Sequence, residues 1–587
     1  MGMRKGGRPS LFPGSGDGST LNLDFTSGVL DSRLTFSRAS TATFVNSSGY
    51  VEWAGANLIV YSNAFTSGTW YLGGTPANLT PNYAVGPDGI TGSAWRFQGA
   101  LSNSVFAQPI SNNGFAHVVS IYAKSNTGAN QTFTIYNGVS GTTCTATSVW
   151  QRFEVPVAGT WGYAYFGTLG ASQDILIWGA QSNLGSTAQT YYPTTTAAYH
   201  APRFDYSPTN IGESRGLLVE GSSINKIYGS ESLASSGMPI NWSYAGNVTR
   251  NSTLVTSPRG SDDAVVVNET VTSGLHRVSQ SSFSGYTVGA VCTFSCWAKV
   301  AKSATPRKLF VNLAGLLNSQ GLFDLTATGT SGTAQATGGT AVNKATSWIK
   351  YPGDWYRVTV TGNFVAESSQ FLQMNRASST TCADDSFIGE TDNGIIIWGC
   401  QLEAGSGASS YIVTGASQVT RNTDYCTIPT ASFIPSNPYP QTLFVDCIPN
   451  TPSGAFLDLV RVLDRTAGGT FAYGTQIYYY NAPTMIPMRK IYASTNSERN
   501  LANGLAYGTR HKFALSIDAA SYSGSYDGVT ALGVATAPTA LATVVTHMGI
   551  GCSGDSSAQS VMFGTIRQIK FYPTALSQSA INTLTTL

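Results

Sequence analysis

Short apolar segments recur along almost the whole chain, and clusters rich in glycine, serine, threonine and asparagine separate them. Residues 21–25 alternate apolar and polar side chains, which is the period of a strand with one buried face. Residues 395–398 form a continuous apolar run of strand length. The pattern predicts an all-β chain with many turns, closed by a short helix over 577–584 with Ser577 as its N-cap.

Internal repetition is the most informative feature of the sequence. The landmarks that occur twice in the same order are Asn57–Ser62 with Asn225–Ser230, Ser120–Lys124 with Ser295–Lys299, Trp150–Val155 with Trp355–Val360, and Ile175–Gln181 with Ile395–Gln401. The repetition predicts a duplicated domain, and the segments within each copy predict an antiparallel two-sheet sandwich of the jelly-roll type. Trp178 and Trp398 follow isoleucine-rich runs and are predicted to be core residues. The second copy is longer near 302–350, which predicts a lengthened loop or an extra hairpin.

From about residue 430 a different series of strand-like segments begins, with a hairpin turn at Ser525–Gly528. This region is predicted to form a third β-sandwich. The predicted organisation is an N-terminal arm and small β segment at 1–56, a first jelly roll at 57–198, a connecting β segment at 199–224, a second jelly roll at 225–429 and the third sandwich at 430–587.

Composition supports folded domains and excludes several classes of protein. Hydrophobic residues make up 42 % of the 587 residues, and only 11 % are charged against the usual ~25 %. These values exclude a disordered chain and a body made mainly of coiled coil. The net charge is +2 without a strongly basic stretch, so we expect no nucleic-acid binding. The apolar runs are far shorter than the ~18 residues that span a bilayer, so we expect no membrane insertion.

The N-terminus and the cysteines bear on the compartment. Arg4, Lys5 and Arg8 form the one basic cluster, which predicts either a flexible tail or a docking arm, and no apolar segment of a secretory signal follows it. The eight cysteines form no Cys-x-x-Cys pair. Cys292 and Cys296 would lie roughly 13 Å apart on a strand, too far to bridge. Buried reduced thiols, made in a reducing cytosol, are therefore expected.

Residues that carry chemistry do not form a catalytic set. Asp262-Asp263 and Asp384-Asp385 lie in polar segments, where they are either turn residues or a calcium-type oxygen cluster, and no other cofactor or metal is expected. The five histidines form no metalloprotease motif. Ser214 lies in a Gly-x-Ser-x-Gly sequence, but a strand-like segment follows it rather than the helix of a nucleophile elbow. The sequence predicts a protein that is not an enzyme.

Binding is the better-supported class, because aromatic faces with polar rims bind sugars. For each aromatic residue, burial in a core is the competing interpretation. The candidates considered are Trp70 with Tyr71, Trp161 with Tyr163 and Tyr165, Tyr351 near Trp355, and the triplet 478–480. The candidate ligand-binding residues selected are Trp161, Tyr163, Tyr478, Tyr480, Tyr526 and Asp527. Among them we favour exposed loop aromatics of the C-terminal sandwich.

Three segments of the chain resemble a signature of bacteriophage tail and fibre proteins. They are Leu34–Thr43 with the following Asn46–Gly49, Pro202–Tyr206 (Pro-Arg-Phe-Asp-Tyr) and Gly216–Glu220 (Gly-Leu-Leu-Val-Glu). Here the first repeat copy stands between the first segment and the other two, which leaves open whether 20–56 and 199–224 pack as one module. The two repeats are similar to carbohydrate-binding-module jelly rolls. Residues 430–587 are similar to laminin-G or concanavalin-A-like sandwiches.

The resemblance implies a virion protein of a bacterial virus, a tail fibre or spike that is assembled in the host cytoplasm. It implies attachment to other virion proteins through the N-terminus with Arg4, Lys5 and Arg8, a homotrimeric state, and host surface polysaccharide as the ligand. The alternatives are a structural adaptor or a capsid or tail decoration protein that makes protein contacts only, and a glycan-degrading tailspike. A secreted bacterial lectin is disfavoured because no signal sequence is recognised.

Overall fold

The computed structural model describes residues 16–73, 78–99, 104–168, 173–234, 242–280, 285–337, 345–434, 439–450, 456–463, 474–480, 485–492, 495–503, 506–518, 521–531, 535–536, 545–554 and 560–587. Within these ranges the chain is almost entirely antiparallel β-structure arranged in sandwiches. The all-β fold class predicted from the sequence is confirmed.

The chain begins with four short strands. They are β1 (Leu21–Asp24), β2 (Thr35–Ser37), β3 (Thr43–Val45) and β4 (Val51–Trp53), with a 3-10 turn at Phe25–Ser27. Strands β3 and β4 pair with each other.

Jelly roll 1 follows. Its strands are β5 (Ala56–Asn57), β6 (Tyr71–Gly73), β7 (Asn78–Ala84), β8 (Ala94–Gly99), β9 (Val105–Pro109), β10 (His117–Ser125), β11 (Gln131–Tyr136), β12 (Gly141–Ala146), β13 (Gln151–Val157), β14 (Tyr163–Thr168), β15 (Gln173–Leu184) and β16 (Tyr199–His200). Two five-stranded sheets, β13-β10-β15-β8-β7 and β12-β11-β14-β9-β6, enclose a core that includes Phe97, Phe106 and Phe166. Strands β5 and β16 pair at the point where the chain enters and leaves this domain.

Two further strands, β17 (Arg203–Tyr206) and β18 (Ser214–Val219), lead to jelly roll 2. Its elements are β19 (Ser223–Asn225), β20 (Ser243–Gly246), β21 (Val248–Arg250), β22 (Val255–Thr256), β23 (Asp262–Glu269), β24 (Ser273–Gly274), β25 (His276–Gln280), β26 (Val291–Val300), β27 (Arg307–Leu313), α1 (Ala314–Leu317), β28 (Ser319–Phe323), β29 (Ser331–Gly332), β30 (Gln335–Thr337), β31 (Ala345–Tyr351), β32 (Trp355–Asn363), β33 (Gln370–Arg376), β34 (Phe387–Ile388), β35 (Gly394–Ala404) and β36 (Val419–Arg421). One sheet has the order β20-β25-β33-β27-β28-β30, and the other has the order β21-β23-β35-β26-β32-β31-β29 with β22 beside β23. Strands β19 and β36 pair as β5 and β16 do.

The C-terminal part contains a 3-10 turn at Thr430–Ser432 and the remaining elements. They are β37 (Tyr425–Pro429), β38 (Gln441–Pro449), β39 (Phe456–Leu463), β40 (Gly474–Tyr480), β41 (Met485–Tyr492), β42 (Thr495–Asn503), β43 (His511–Ile517), β44 (Ser521–Tyr526), β45 (Val529–Thr530), β46 (Ala535–Thr536), β47 (His547–Ile550), β48 (Gly564–Tyr572) and α2 (Gln578–Thr585). The side chain of Ser577 caps the helix by accepting from the Ala580 N–H, as the sequence predicts.

The C-terminal sandwich is discontinuous in sequence, because both jelly rolls are inserted into it. One of its sheets has the order β17-β18-β48-β38-β43-β44-β45, with β1 also on β48 and β46 on β44. The other has the order β2-β37-β47-β39-β40-β41-β42. The alternating apolar residues Leu21 and Leu23 are buried in the core of this sandwich together with Leu217 and Val219. Residues 21–37 and 203–219 therefore supply strands to the third sandwich, whereas the sequence assigned them to an arm and a connector.

The described residues fall into two compact units. One unit consists of jelly roll 1, Trp53–Ala201, with Arg38–Thr41. The other contains the chain up to Ser37, Ala42–Glu52 and Pro202–Leu587, and thus both jelly roll 2 and the C-terminal sandwich.

The two jelly rolls repeat one another down to single residues. The register of β10 on β15 shifts between Ser120 and Tyr122, and that of β26 on β35 shifts between Ser295 and Trp297. These are equivalent positions in the repeated sequence. The extra strands β29, β30 and β31 account for the greater length of the second copy. Strand β30 ends one sheet, whereas β31 pairs with β32 and β29 ends the other sheet, so the added strands are shared between the two sheets.

A buried asparagine fixes the end of each jelly roll. Asn57 is 0 % exposed; its Nδ2 donates to the carbonyl oxygens of Ala180 (3.1 Å) and Tyr192 (2.8 Å), and its Oδ1 accepts from the N–H groups of Ile59 (3.1 Å) and Ser182 (3.2 Å). One side chain thus satisfies four backbone groups that would otherwise be buried without partners.

The second copy contains the same arrangement. Asn225 donates to the carbonyl oxygens of Cys400 (3.1 Å) and Ile412 (2.7 Å), and it accepts from the N–H groups of Ile227 (3.0 Å) and Leu402 (3.1 Å). The duplication has therefore kept the buried polar contacts as well as the apolar pattern.

Candidate functional site

Five aromatic side chains lie together on the outer face of the sheet β12-β11-β14-β9-β6 in jelly roll 1. We call this set the aromatic face; its members are Tyr71, Tyr136, Trp161, Tyr163 and Tyr165. Successive side chains of a strand point to opposite sides. Because Ala164 and Phe166 of β14 are buried in the core, Tyr163 and Tyr165 point outward.

The rings of the aromatic face form a connected series. The ring centroids of Trp161 and Tyr136 lie 4.9 Å apart, those of Trp161 and Tyr163 lie 5.4 Å apart, and those of Tyr136 and Tyr165 lie 5.7 Å apart. These are the separations of aromatic rings in mutual contact. Four side chains from two strands and the turn before β14 therefore form one continuous aromatic series, in which Trp161 is half-buried and also packs against the core.

The fifth ring extends this surface across the sheet. Tyr165 is paired with Ala107, and Ala107 is paired with Tyr71 on the next strand. Ala107 is 0 % exposed although it faces outward. The Ala107 methyl group is therefore covered by its neighbours, and the two tyrosines lie on either side of it in the row.

The tyrosines combine an apolar ring with a polar group that can bind a ligand. Tyr71 is 43 % exposed and Tyr163 is 39 % exposed. Burial, and then the neighbouring Tyr71 and Tyr136, raise the pKa of Tyr165, so its hydroxyl group stays protonated at neutral pH. The Tyr136 hydroxyl donates to the Val139 carbonyl oxygen at 3.1 Å. Among the described residues, the hydroxyl groups of the other three tyrosines have no hydrogen-bond partner.

Backbone contacts hold Trp161 in place. Its N–H donates to the carbonyl oxygen of Ala158 at 3.0 Å, and Asn112 Nδ2 donates to its carbonyl oxygen at 3.2 Å. Gly138 has a positive φ of 92°, and a Cβ at this position would lie 2.8 Å from the Trp161 Cβ. Only glycine therefore leaves room for the indole beside Tyr136.

The equivalent face of jelly roll 2 is different. In jelly roll 1 the row runs across neighbouring strands through Tyr136, Tyr165, Ala107 and Tyr71. Strand pairing shows that the equivalent residues of jelly roll 2 are, in the same order, Asn312, Phe371, Ser279 and Ser243. Phe371, the one ring kept in this row, lies under the Arg277 guanidinium, 4.5 Å from the ring centroid.

Cys382, a loop residue, covers another part of this outer face of jelly roll 2. Phe310 and Leu322 occupy the positions of Thr134 and Thr143 in the first copy, and they form a small buried cluster with Cys382. No aromatic row is thus open on this side of jelly roll 2 in the residues described.

The candidates in the C-terminal sandwich do not form a comparable surface. Tyr478 is 1 % exposed, so its ring offers no face to a ligand. Tyr526 is partly buried against the core. Asp527 closes a turn, since its Oδ2 lies 2.7 Å from His511 Nδ1 and its Oδ1 accepts from the Lys512 N–H at 2.8 Å. The side chain of Tyr480 lies outside what the structure describes.

Trp161 and Tyr163 are thus the two selected residues that the structure brings together, and they lie in jelly roll 1 rather than in the favoured C-terminal sandwich. Sequence reasoning did not select Tyr136. The signal was present, because Phe133 and Ile135 are the apolar members of β11 and the alternation places Tyr136 on the other face. What the sequence could not supply was the strand order that places β11 beside β14.

One member of each acidic pair takes part in a local ion pair. Asp385 binds Arg376 (2.7 Å), and Asp263 lies 3.5 Å from Arg259. In the described part of the chain, no group of three or more histidine, cysteine, aspartate or glutamate side chains could hold a metal ion. Ser214 begins strand β18, so the strand-to-helix turn of a nucleophile elbow is not formed there.

Two further features bear on partners. Arg4, Lys5 and Arg8, the residues of the predicted docking arm, lie outside the described residues. In the part of the chain that is described, no helix is long and apolar enough to cross a membrane.

Comparisons with known proteins yield similarities to solved structures only; no family model and no curated protein matches the chain. The CBM40 module of the Ruminococcus gnavus IT-sialidase bound to α2,3-sialyllactose aligns with a TM-score of 0.22 and 16 % identity, over 25 % of this chain and 82 % of that one. The tandem CBM22 domains of Paenibacillus barcinonensis Xyn10C align with a TM-score of 0.20 and 12 % identity, over 60 % and 98 %.

Domains LG4-5 of the mouse laminin α1 chain align with a TM-score of 0.19 and 10 % identity, over 59 % of this chain and 93 % of that one. Scores this low carry no argument about what the chain does. The fold itself defines the class: an all-β protein of antiparallel sandwiches, with two duplicated jelly rolls and a discontinuous concanavalin-A-like sandwich.

Proposed function

We propose that the protein binds carbohydrate through the aromatic face of jelly roll 1. One face of a pyranose ring is lined by C–H groups and its edge by hydroxyls, so an aromatic ring stacks on the face while polar groups bind the edge. The observation that carries the proposal is the connected series of Trp161, Tyr136, Tyr165 and Tyr163 rings on a rigid sheet.

The shape of the aromatic face favours an extended chain over a single enclosed sugar. The rings lie side by side on an open sheet, and Tyr71 continues the row across Ala107. Consecutive residues of a polysaccharide can therefore stack on consecutive rings. Each contact is weak, and several together give useful affinity.

We further propose that the chain is a tail fibre or spike of a bacterial virus, and that the polysaccharide belongs to the host surface. The signature segments that contain Arg38, Arg203 and Glu220 support this assignment by resemblance. A homotrimer would present three aromatic faces and convert weak binding into avidity. An adaptor that makes protein contacts only is the competing function, and it predicts that the aromatic face binds protein rather than glycan.

The experiment is a binding assay of the full-length protein on an array of bacterial surface polysaccharides. Trp161→Ala and Tyr136→Ala should each weaken binding about tenfold, which corresponds to about 1.4 kcal/mol for the loss of one stacked ring. Tyr83→Ala is the matched control, because Tyr83 is 44 % exposed but lies on the other sheet of the same domain.

Unchanged affinity in both variants would refute the aromatic face as the glycan site. If no polysaccharide on the array binds, while a virion protein is captured in a manner that Trp161→Ala abolishes, the adaptor function replaces the proposal.

A further inference from the structure

The unit that contains jelly roll 2 and the C-terminal sandwich has a partly open cavity of about 520 Å³. One wall is the outer face of the sheet that contains β31 and β32, and the opposite wall is the edge strand pair β17 and β18. Its volume falls within the ~300–1,000 Å³ of small-molecule sites in proteins. The cavity is separate from the aromatic face, which belongs to the other unit.

The first wall is formed in part by β31, a strand that jelly roll 2 has and jelly roll 1 lacks. Ser347 and Tyr351 lie on β31, one of the extra strands of jelly roll 2. The Ser347 Oγ lies 2.5 Å from the Oγ1 of Thr359, and the Tyr351 ring packs edge-on against Trp297 at 5.5 Å. The added segment thus lines the cavity with hydroxyl groups and one phenol.

The opposite wall carries the Asp205 carboxylate and the Arg215 guanidinium group, beside the Glu220 carboxylate. Asp205 is 8 % exposed, and its Oδ1 accepts from the Val45 N–H at 2.8 Å. Arg215 is the extra residue of a β-bulge, because Asp205 pairs with Gly216 while Tyr206 pairs with Ser214. Bulges redirect a side chain out of the regular alternation.

The bulge is fixed by its neighbours. Gly216 has a φ of 90°, and a Cβ there would lie 2.1 Å from the Ile566 carbonyl oxygen, so no other residue fits. The Arg215 guanidinium has no hydrogen-bond partner in the residues described, and it lowers the pKa of Asp205 against the larger opposing effect of burial. Both groups are therefore held at the cavity, and the donors of Arg215 are available.

Charged groups of both signs line the cavity. Asp205 and Arg215 balance each other, whereas Arg357, on the first wall, donates to the Ser409 carbonyl oxygen at 2.7 Å and has no carboxylate partner in the residues described. Glu220, which also lines the cavity, is neutralised by Arg203 and Arg421. A carboxylate accepts from two hydroxyl groups and a guanidinium donates to two, which is the arrangement that matches vicinal diols.

We propose that this cavity is a second saccharide site, which takes one monosaccharide unit, such as the end of a chain, in a partly open pocket. The class of ligand rests on the proposed carbohydrate-binding function, whereas the site rests on its own residues. The two sites would bind different parts of a polysaccharide. The aromatic face would bind several consecutive residues of the chain, and the cavity would bind one sugar residue by its hydroxyl groups.

The test is ligand-observed NMR of the full-length protein with glucose, galactose, mannose, rhamnose and N-acetylglucosamine at millimolar concentration. At least one of these monosaccharides should show saturation transfer. Arg215→Ala should reduce its affinity at least fivefold, whereas Tyr165→Ala, on the aromatic face, should leave the monosaccharide signal unchanged.

A blocking variant separates loss of binding from loss of folding. Ser347 is exposed at the cavity, so Ser347→Trp should fill the cavity and abolish the signal, while Ser273→Trp, at an exposed position of jelly roll 2 away from the cavity, should not. Equal unfolding temperatures of the two variants establish that both are folded.

The inference is overturned if none of the five sugars binds, or if binding survives both Arg215→Ala and Ser347→Trp. A signal that only Tyr165→Ala removes would also overturn it, but would support the aromatic face. Polysaccharide binding that Tyr165→Ala weakens, with no monosaccharide signal in any variant, would leave the proposed function intact and refute the second site alone.

Discussion

The two jelly rolls have the same buried contacts and different outer surfaces. Asn57 and Asn225 each satisfy four backbone groups at equivalent places, and a glycine with positive φ follows the paired tryptophan in each copy, at Gly179 (62°) and Gly399 (66°). On the surface, Tyr165 of one copy corresponds to Phe371 of the other. The first copy exposes a row of rings, whereas the second covers its face with Arg277 and a loop.

The difference indicates what a duplication can change without loss of the fold. Buried polar groups need partners in both copies, so any substitution there leaves a donor or acceptor unsatisfied. Side chains that point outward from a strand have no buried groups to satisfy, so they can be replaced without this cost. The paired tryptophans also differ in burial. The prediction that both are core residues is confirmed for Trp398, which is 0 % exposed, and is wrong for Trp178, which is partly exposed in the first copy.

The largest expected effect concerns the independence of the domains. Residues 53–201, jelly roll 1, should fold alone, because they form one compact unit. Residues 430–587 should not, because they lack β1, β2, β17, β18 and β37 and the core residues Leu21, Leu217 and Val219. Circular dichroism with thermal unfolding measures both fragments. A cooperative transition in 430–587 would contradict this architecture.

The next effect tests the cluster of charges where jelly roll 2 joins the sandwich. Arg203 Nη1 lies 2.7 Å from Glu220 Oε2; Arg203 also binds Asp424, and Arg421 also binds Glu220. Burial opposes ionisation, but Arg421 and Arg203 outweigh it and lower the pKa of Glu220 to about 2.

Glu220→Gln should therefore cost about 3–5 kcal/mol at pH 7, because it leaves buried guanidinium charges without their partner. Because the pKa of Glu220 is lower in the folded than in the unfolded protein, its ionised carboxylate stabilises the fold at pH values above the ordinary pKa of glutamate. This contribution is lost as the pH falls towards 2. Chemical denaturation at pH 7 and pH 3 measures both effects. Equal stability of the variant and the wild-type protein at pH 7 would exclude the cluster as a stabilising junction.

The third expectation is that replacing the buried asparagine lowers the free energy of unfolding equally in the two copies. Asn57→Ala and Asn225→Ala each remove four hydrogen bonds and should each cost about 3 kcal/mol or more. Calorimetry should show that Asn57→Ala lowers only the transition of jelly roll 1. A small effect in one copy and a large effect in the other would show that the duplicated contacts are not equivalent.

The smallest effect is a gain in stability at the cavity lined by Asp205 and Arg215. Burial, opposed by Arg215 and Arg203 and reinforced by Glu220, raises the pKa of Asp205 to about 6. Because a raised carboxyl pKa makes the ionised form costly in the folded state, Asp205→Asn should stabilise the protein by about 1–3 kcal/mol at pH 7.

That gain should vanish as the pH falls below about 4, where the wild-type carboxyl group is protonated in both the folded and the unfolded protein. Thermal unfolding at pH 7 and pH 4 is the measurement. Destabilisation at pH 7 would mean that the carboxylate makes a stronger contact than the one to Val45.

The sequence predicts the strands, the duplication and two members of the aromatic face, because these depend on local alternation and on repeated landmarks. It does not predict that Leu21 and Leu23 belong to the C-terminal sandwich, since pairing across more than 500 residues leaves no local signal. The signature residues Arg203 and Glu220 have a structural explanation, as members of a buried ion cluster that three-dimensional proximity alone reveals.

The account rests on the aromatic face of jelly roll 1, and the pair Tyr165→Ala and Phe371→Ala tests it most directly, because the two residues occupy equivalent positions in the two copies. The measurement is affinity electrophoresis of both full-length variants in gels that contain a polysaccharide retained by the wild-type protein. Tyr165→Ala should be retained clearly less than the wild-type protein, and Phe371→Ala should be retained as the wild-type protein is; equal retention of both variants would contradict the aromatic face as the binding site.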